Sequence, residues 1–255
     1  MARRLIVVSV IVSLFTLMPM PALNASALFA IAKVSSVSAG ASGGGTFTTG
    51  NISTTGASLF VACVSSYIGA SAPTLSDSQT NTWTGLTARN EAVAVRNRMF
   101  YVASPSTSGT HNFTLTGSGT FGGLAVYAFS GTDTSSPFDS QQAGATGNST
   151  SSAPGSITPA QNDSVVVSCA TLDANISSVG ASMTLDENVA FSGGNHYAAA
   201  GAYIVQTTAT AINPTWSWTG TQRYAMSIAS FKPAGGSPTF PGAIINGLIR
   251  GGGVR

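Results

Sequence analysis

Four largely apolar runs, with no helical period between them, point this chain to an all-β fold. The plainest is Phe121–Gly131, FGGLAVYAFSG, which lies between a Gly pair and a Ser-Gly stop. Ala57–Ser65 (ASLFVACVS), Ser164–Leu172 (SVVVSCATL) and Gln222–Lys232 (QRYAMSIASFK) match it as short runs rich in β-branched and small apolar residues, two of them with aromatic members. A strand with one wet face alternates polar and apolar residues. A short apolar run between turn residues instead marks a strand covered on both sides. These four are therefore expected to be the inner strands of a β-sandwich, with Leu59, Val61, Leu124, Val126, Val165, Val167 and Ile228 in its core.

Shorter strand-like pieces lie between them: Ala30–Ser36, Thr46–Thr49, Leu75–Leu86, Arg98–Ala103, His111–Thr116, Ser182–Leu185, His196–Val205 and Thr215–Trp218. Turn residues recur roughly every 8–12 positions, the spacing of a sandwich or barrel. Nothing reads as a linker before Pro233. The expected organisation is a single two-sheet, jelly-roll-like sandwich over residues 28–234, preceded by a signal-like segment (1–27) and followed by a Pro/Gly-rich tail (235–255).

Charged residues make up 7% of the 255 residues and apolar ones 43%, against about 25% charged in an average domain. Disorder needs the opposite balance. Ser, Thr, Gly and Ala must therefore clothe the surface, as in extracellular and particle-surface β proteins. Four of the ten basic residues, Arg3, Arg4, Arg250 and Arg255, sit at the ends; the remaining six face eight acids, a net of minus two. That leaves no basic patch for phosphates, and nucleic acid is excluded as a partner.

The ends have their own character. Met1–Arg4 is positive, Leu5–Met18 is an apolar run of 14 residues, and Ala25-Ser26-Ala27 fits an A-x-A cleavage site. This is the layout of a secretory signal peptide, and the run falls short of the roughly 20 residues of a membrane span. The alternative is a retained, buried strand. At the other end, PAGGSPTFPG cannot form regular structure. It leads to AIINGLIR, where Ile244, Ile245, Leu248 and Ile249 concentrate apolar surface. That segment is expected to dock on another protein subunit or a surface assembly, as a strand added to an open edge.

Several motifs, in this order, are similar to a known domain. They are the Gly-rich start before a Thr-Thr-Gly turn, LFVACVS, the D-x-x-x-N-x-W segment (Asp77, Asn81, Trp83), MFYVA, AFSG, VVVSCA, the W-x-W pair and the closing SFKPA. From about Ala30 to Ala234 the chain resembles the Gly/Ser/Thr-rich β-sandwich domain of secreted and surface bacterial proteins and of some phage particle proteins. The resemblance implies a sandwich and an exterior location. It implies no reaction.

Catalytic patterns are weak. The histidines, His111 and His196, stand in strand-like contexts, and no G-x-S-x-G elbow occurs. The acids lie beside Ser, Thr, Asn or Gly, where Asp favours turns. The adjacent pair Asp186–Glu187 would face opposite sides of a strand. Asp77 and Asn81 could shape either a structural calcium loop or an Asx-turn. Cys63 and Cys169, both inside apolar runs, read either as buried thiols or as a disulfide formed in an oxidising compartment. Trp216 and Trp218 share one strand face. With Trp83 they are the candidates for a glycan-binding platform; otherwise they face the core. No cofactor is required beyond the calcium alternative. The expected function is a non-enzymatic structural or adhesive sandwich on the exterior of a bacterial cell or virus particle (surface, head-decoration or fibre type). A carbohydrate-binding module is the alternative.

Overall fold

The computed structural model describes residues 30–235, apart from 42–44, 68, 70, 71, 118–121, 143 and 191–197. The signal-like segment 1–27 and the docking residues Ile244, Ile245, Leu248 and Ile249 lie outside the described residues, as does His196. Among the described residues every regular element is a β-strand. The first half of the chain supplies β1 (Ala32–Ala41), β2 (Thr46–Thr48), β3 (Leu59–Tyr67), β4 (Thr74–Asp77), β5 (Thr84–Gly85), β6 (Arg89–Asn90), β7 (Val95–Ala103), β8 (Phe113–Thr116) and β9 (Gly122–Ser130). The second half supplies β10 (Phe138–Gln142), β11 (Thr146–Ser152), β12 (Ser164–Leu172), β13 (Ile176–Val179), β14 (Thr184–Val189), β15 (Ala198–Gln206) and β16 (Trp216–Phe231).

Two large antiparallel sheets pack face to face, as the covered runs require. The first has the order β1-β9-β3-β7-β5, with β6 also on β7; the second has the order β10-β16-β12-β15-β14, with β11 and β13 also on β16. The first sheet is drawn wholly from the first half of the chain and the second wholly from the second half. The likeness to a jelly roll thus lies in the layering and not in strands alternating between sheets.

Leu59, Val61, Cys63, Met99, Tyr127 and Phe129 from the first sheet meet Val165, Val167, Cys169, Ala229 and Phe231 from the second. The opposite faces of the central strands are covered too. A third, three-stranded sheet, β2-β8-β4, sets Phe113 and Leu115 over Phe60, Ala62, Leu124 and Val126. That layer was not expected from the sequence, and it explains why β3 and β9 read as continuous apolar runs. On the second sheet, Trp216, Trp218, Ile157 and Ile212 cover Val166, Ala170 and Leu172. All seven expected core residues are 0% exposed. They serve three different interfaces: Leu59, Val61, Val165 and Val167 the centre, Leu124 and Val126 the first outer layer, and Ile228 the second.

Two local expectations change. Thr215–Trp218 and the last covered run are one strand, β16, which continues through Gly220 at φ +75°. Leu75–Leu86 is not one strand. It breaks after Asp77 into a turn with Thr80 at φ +57°, because the Asp77 carboxylate captures the following backbone N–H groups.

Candidate functional site

The D-x-x-x-N-x-W segment forms a closed polar knot at the edge of the small sheet. Asp77 Oδ1 accepts from the backbone N–H of Gln79 at 2.8 Å and from Asn81 Nδ2 at 3.1 Å. Asp77 Oδ2 accepts from the indole N–H of Trp83 at 2.8 Å. Asn81 Oδ1 accepts from the Ser106 N–H at 2.7 Å. Every carboxylate and amide oxygen of the pair therefore already has an N–H donor. The Asx-turn is the arrangement found. Among the described residues, no three His, Cys, Asp or Glu side chains converge as a metal site.

His111 joins this knot from 34 positions away. Its Nε2 lies 3.1 Å from Asp77 Oδ1, out of line for a hydrogen bond, and its Nδ1 is 2.9 Å from Thr54 Oγ1. The order hydroxyl, imidazole, carboxylate is that of a nucleophilic triad. Its surroundings are not. Thr54 and His111 are 0% exposed, and the Thr54 hydroxyl accepts from the Ser108 N–H at 3.0 Å. The rings of Phe60 and Phe113 pack against the imidazole at 5.2 and 4.6 Å. A substrate has no approach to that hydroxyl, so the chain of bonds pins three loops together. No spacing in the sequence pairs these residues; only the bridge between Ile52 and His111 does.

The tryptophans do not form a platform. Trp216 is 0% exposed and Trp218 6%. Trp216 donates its indole N–H to Ser168 Oγ at 3.0 Å, and Trp218 donates to the Ser149 carbonyl at 2.9 Å. Trp83 is half-buried, stacked at 6.1 Å on Phe60 and edge-on at 6.0 Å to Phe113. Trp216 and Trp218 share one strand face, as alternation requires. That face turns inward because β12 leaves an outer apolar face that must be covered, and aromatic rings cover it most completely.

Cys63 and Cys169 are joined in a disulfide with Cα atoms 5.5 Å apart. Of the two readings, the bond is the one found, and it links β3 to β12, the central strands of opposite sheets, rather than neighbours in one sheet. Beside it a polar bridge also crosses the sandwich: Asn97 donates to Thr171 Oγ1 at 3.1 Å and accepts from the Ser227 hydroxyl at 2.6 Å.

The outward face of the small sheet is the most regular solvent-facing surface. Register places Thr46, Thr116 and Thr74 in one rung and Thr48, Thr114 and Ser76 in the next. Five of the six are exposed and Thr114 is half-buried. The hydroxyls of Thr48 and Thr114 are hydrogen-bonded at 2.8 Å. Alternation sends Phe47, Leu75 and Leu115 to the core and leaves an uncharged hydroxyl surface that can donate and accept without ions. No helix among the described residues is long and apolar enough to cross a membrane. Protein-family models, curated proteins and solved structures yield no significant match to this chain.

Proposed function

We propose that this chain is a non-enzymatic structural or adhesive protein, exported and displayed on the exterior of a cell or particle. The observation that carries this reading is the Cys63–Cys169 bond between the two sheets, since disulfides form and persist in oxidising compartments. The positive start, apolar run and A-x-A of residues 1–27 agree with it. So does the resemblance of its motifs to exterior domains. The hydroxyl rungs of β2, β8 and β4 provide an uncharged contact face. The apolar stretch around Ile244 and Leu248 provides the segment that docks on a neighbouring subunit. The absence of a reaction is supported by the enclosure of Thr54 and His111. The carbohydrate-binding alternative loses its platform with the burial of Trp216 and Trp218 and is not carried further.

Expression of the full chain in an export-competent bacterium, followed by fractionation and N-terminal sequencing, tests the proposal. A mature start near Leu28 in the exported fraction, with Cys63 and Cys169 bonded, is expected. A reduced protein retained in the cytoplasm with an intact Met1 would overturn export. Hydrolysis of a glycan or ester by the pure protein, abolished by one substitution, would overturn the non-enzymatic reading.

A further inference from the structure

Lys33 is one of only two lysines in the chain, and the fold turns it into the sandwich. On β1 it pairs in register with Phe129, whose ring belongs to the core between the sheets. Its ammonium nitrogen lies 5.6 Å from the centre of the Tyr203 ring. That nitrogen meets Asp186 Oδ2, on the edge strand β14 of the opposite sheet, at 2.5 Å. The Ser36 hydroxyl donates to the same oxygen at 2.8 Å. Each partner sits at a β-bulge: register shifts between Lys33 and Ser35 on β1, and between Leu185 and Glu187 on β14. Bulges re-aim side chains, and these two aim a lysine and an aspartate at each other across the gap between the sheets. Without the β14 bulge, alternation alone would not single out Asp186.

The setting favours a bond over an ion pair. The two side chains are in direct contact between the sheets, so no rearrangement is needed to bring the nitrogen to the carboxyl group. Tyr127, Phe129 and Tyr203 form an aromatic cluster beside it, with ring centres 5.4–6.0 Å apart. The side chains of Lys33 and Asp186 are 26% and 18% exposed. The rings thus displace most of the water that would stabilise two charges, and a path remains for a small product to leave. The Tyr127 hydroxyl is fully buried with no hydrogen-bond partner. It lies over Gly201, where a Cβ would come within 2.5 Å of it, and Gly201 pairs with Glu187. Burial first, and then the charges of Asp186 and Glu187, raise the pKa of this phenol well above its ordinary value. Only the Glu187 backbone N–H, out of bonding geometry, works the other way. It is a buried phenol near the pair, with no hydrogen bond to either member.

We propose that Lys33 and Asp186 condense into an intramolecular isopeptide bond that ties the two sheets together at their common edge. The ammonium passes one proton to the Asp186 carboxylate, which leaves a neutral amine and a neutral acid. The amine lone pair attacks Cγ, the C–N bond forms and one C–O bond breaks. The departing oxygen takes the transferred proton and a second one from nitrogen and leaves as water. No oxidant, metal or cofactor enters. Two charges vanish into a neutral amide, so the cost of holding them away from water is removed. Tyr127 is a positioning residue: its buried ring packs against Phe129 and Tyr203 and walls the pair off from water.

Intact-mass analysis of the full chain, reduced and denatured, together with a tryptic map, tests this. The expected mass is short by one water. Trypsin should fail to cut after Lys33, and a branched peptide should join the Lys33 and Asp186 segments. Lys33→Arg should restore the full mass, and Asp186→Asn should form the same bond with loss of ammonia. Tyr127→Ala should slow the appearance of the branched peptide while the disulfide forms as before; an unchanged rate would remove Tyr127 from the scheme. A native protein of full mass, cut by trypsin after Lys33, would show an ordinary ion pair and overturn the proposal.

Discussion

Refolding the chain with Cys63 and Cys169 held reduced should remove one of the largest single contributions to its stability. In a Lys33→Arg background, where no second link shortens the loop, the bond joins residues 106 positions apart, so it removes from the unfolded chain the freedom of a loop that long. Loop-closure entropy gives about 4.7 kcal/mol for a loop of roughly 100 residues at 25 °C. Reduction offers the folded state no compensation. Both cysteines are at most 1% exposed, flanked in register by Met99 and Ala125 on one sheet and Gly201 and Ser227 on the other. Two thiols must then fit the space of one bond. A loss of about 4–5 kcal/mol is expected. For a domain of this size each kcal/mol moves Tm by about 2–4 °C, so Tm should fall by roughly 8–20 °C. The assay is parallel thermal and urea unfolding of the oxidised Lys33→Arg protein and of the same protein refolded and kept under reductant, with thiols counted by alkylation and mass. A difference below about 2 kcal/mol, with the bond present in one sample and two free thiols in the other, would refute the argument that the bond acts by restricting a long loop.

Val126→Ala should cost about 2–4 kcal/mol, because Val126 is 0% exposed beneath the small sheet and the cavity cannot drain to solvent; a change under about 0.5 kcal/mol would mean that β9 is not central. Asp77→Ala strips the acceptor from Trp83, Gln79 and Asn81 at once and should cost about 2–4 kcal/mol in urea unfolding. Trp216→Phe leaves the fully buried Ser168 hydroxyl without its indole donor and should cost about 1–3 kcal/mol. Glycan titrations should leave the fluorescence of the intact protein unchanged, whereas quenching of Trp216 would contradict its burial. Asp133 accepts from the backbone N–H of Ser136, then from the N–H and hydroxyl of Ser135, which hold its carboxyl below the ordinary value. A depressed folded pKa adds stability above the unfolded pKa, which is lost as pH falls through the folded value. Denaturation midpoints of wild type and Asp133→Ala should therefore differ at neutral pH and converge in acid.

Much of the sandwich was legible because covered strands leave a local signature. ASLFVACVS, FGGLAVYAFSG and SVVVSCATL read as strands buried on both faces, and β3, β9 and β12 are buried nearly throughout. The reading could not say what covered them. Phe113 and Leu115 alternate with Thr114 and Thr116 like any half-wet strand, and nothing local shows that β8 builds a separate sheet over β3. The W-x-W pair was ambiguous for a related reason. Alternation puts Trp216 and Trp218 on one face, but whether that face is wet depends on where β12 lies, some 48 positions earlier for Ser168. The Asp77–Asn81–Trp83 spacing held its Asx-turn within the segment, whereas His111 and Thr54 reached it only through long-range pairing.

The division is one of range. Periods of two residues, turn chemistry and low charge act between neighbours, so the amino-acid sequence alone determined an all-β chain, its central strands, its core residues and its hydroxyl-rich surface. Contacts between residues far apart in the chain depend on how sheets stack, and stacking is a property of the whole chain. Tertiary structure therefore decided that Cys63 meets Cys169, that the tryptophans turn inward, that Asn97 bridges to Thr171 and Ser227, and that two bulges bring Lys33 to Asp186.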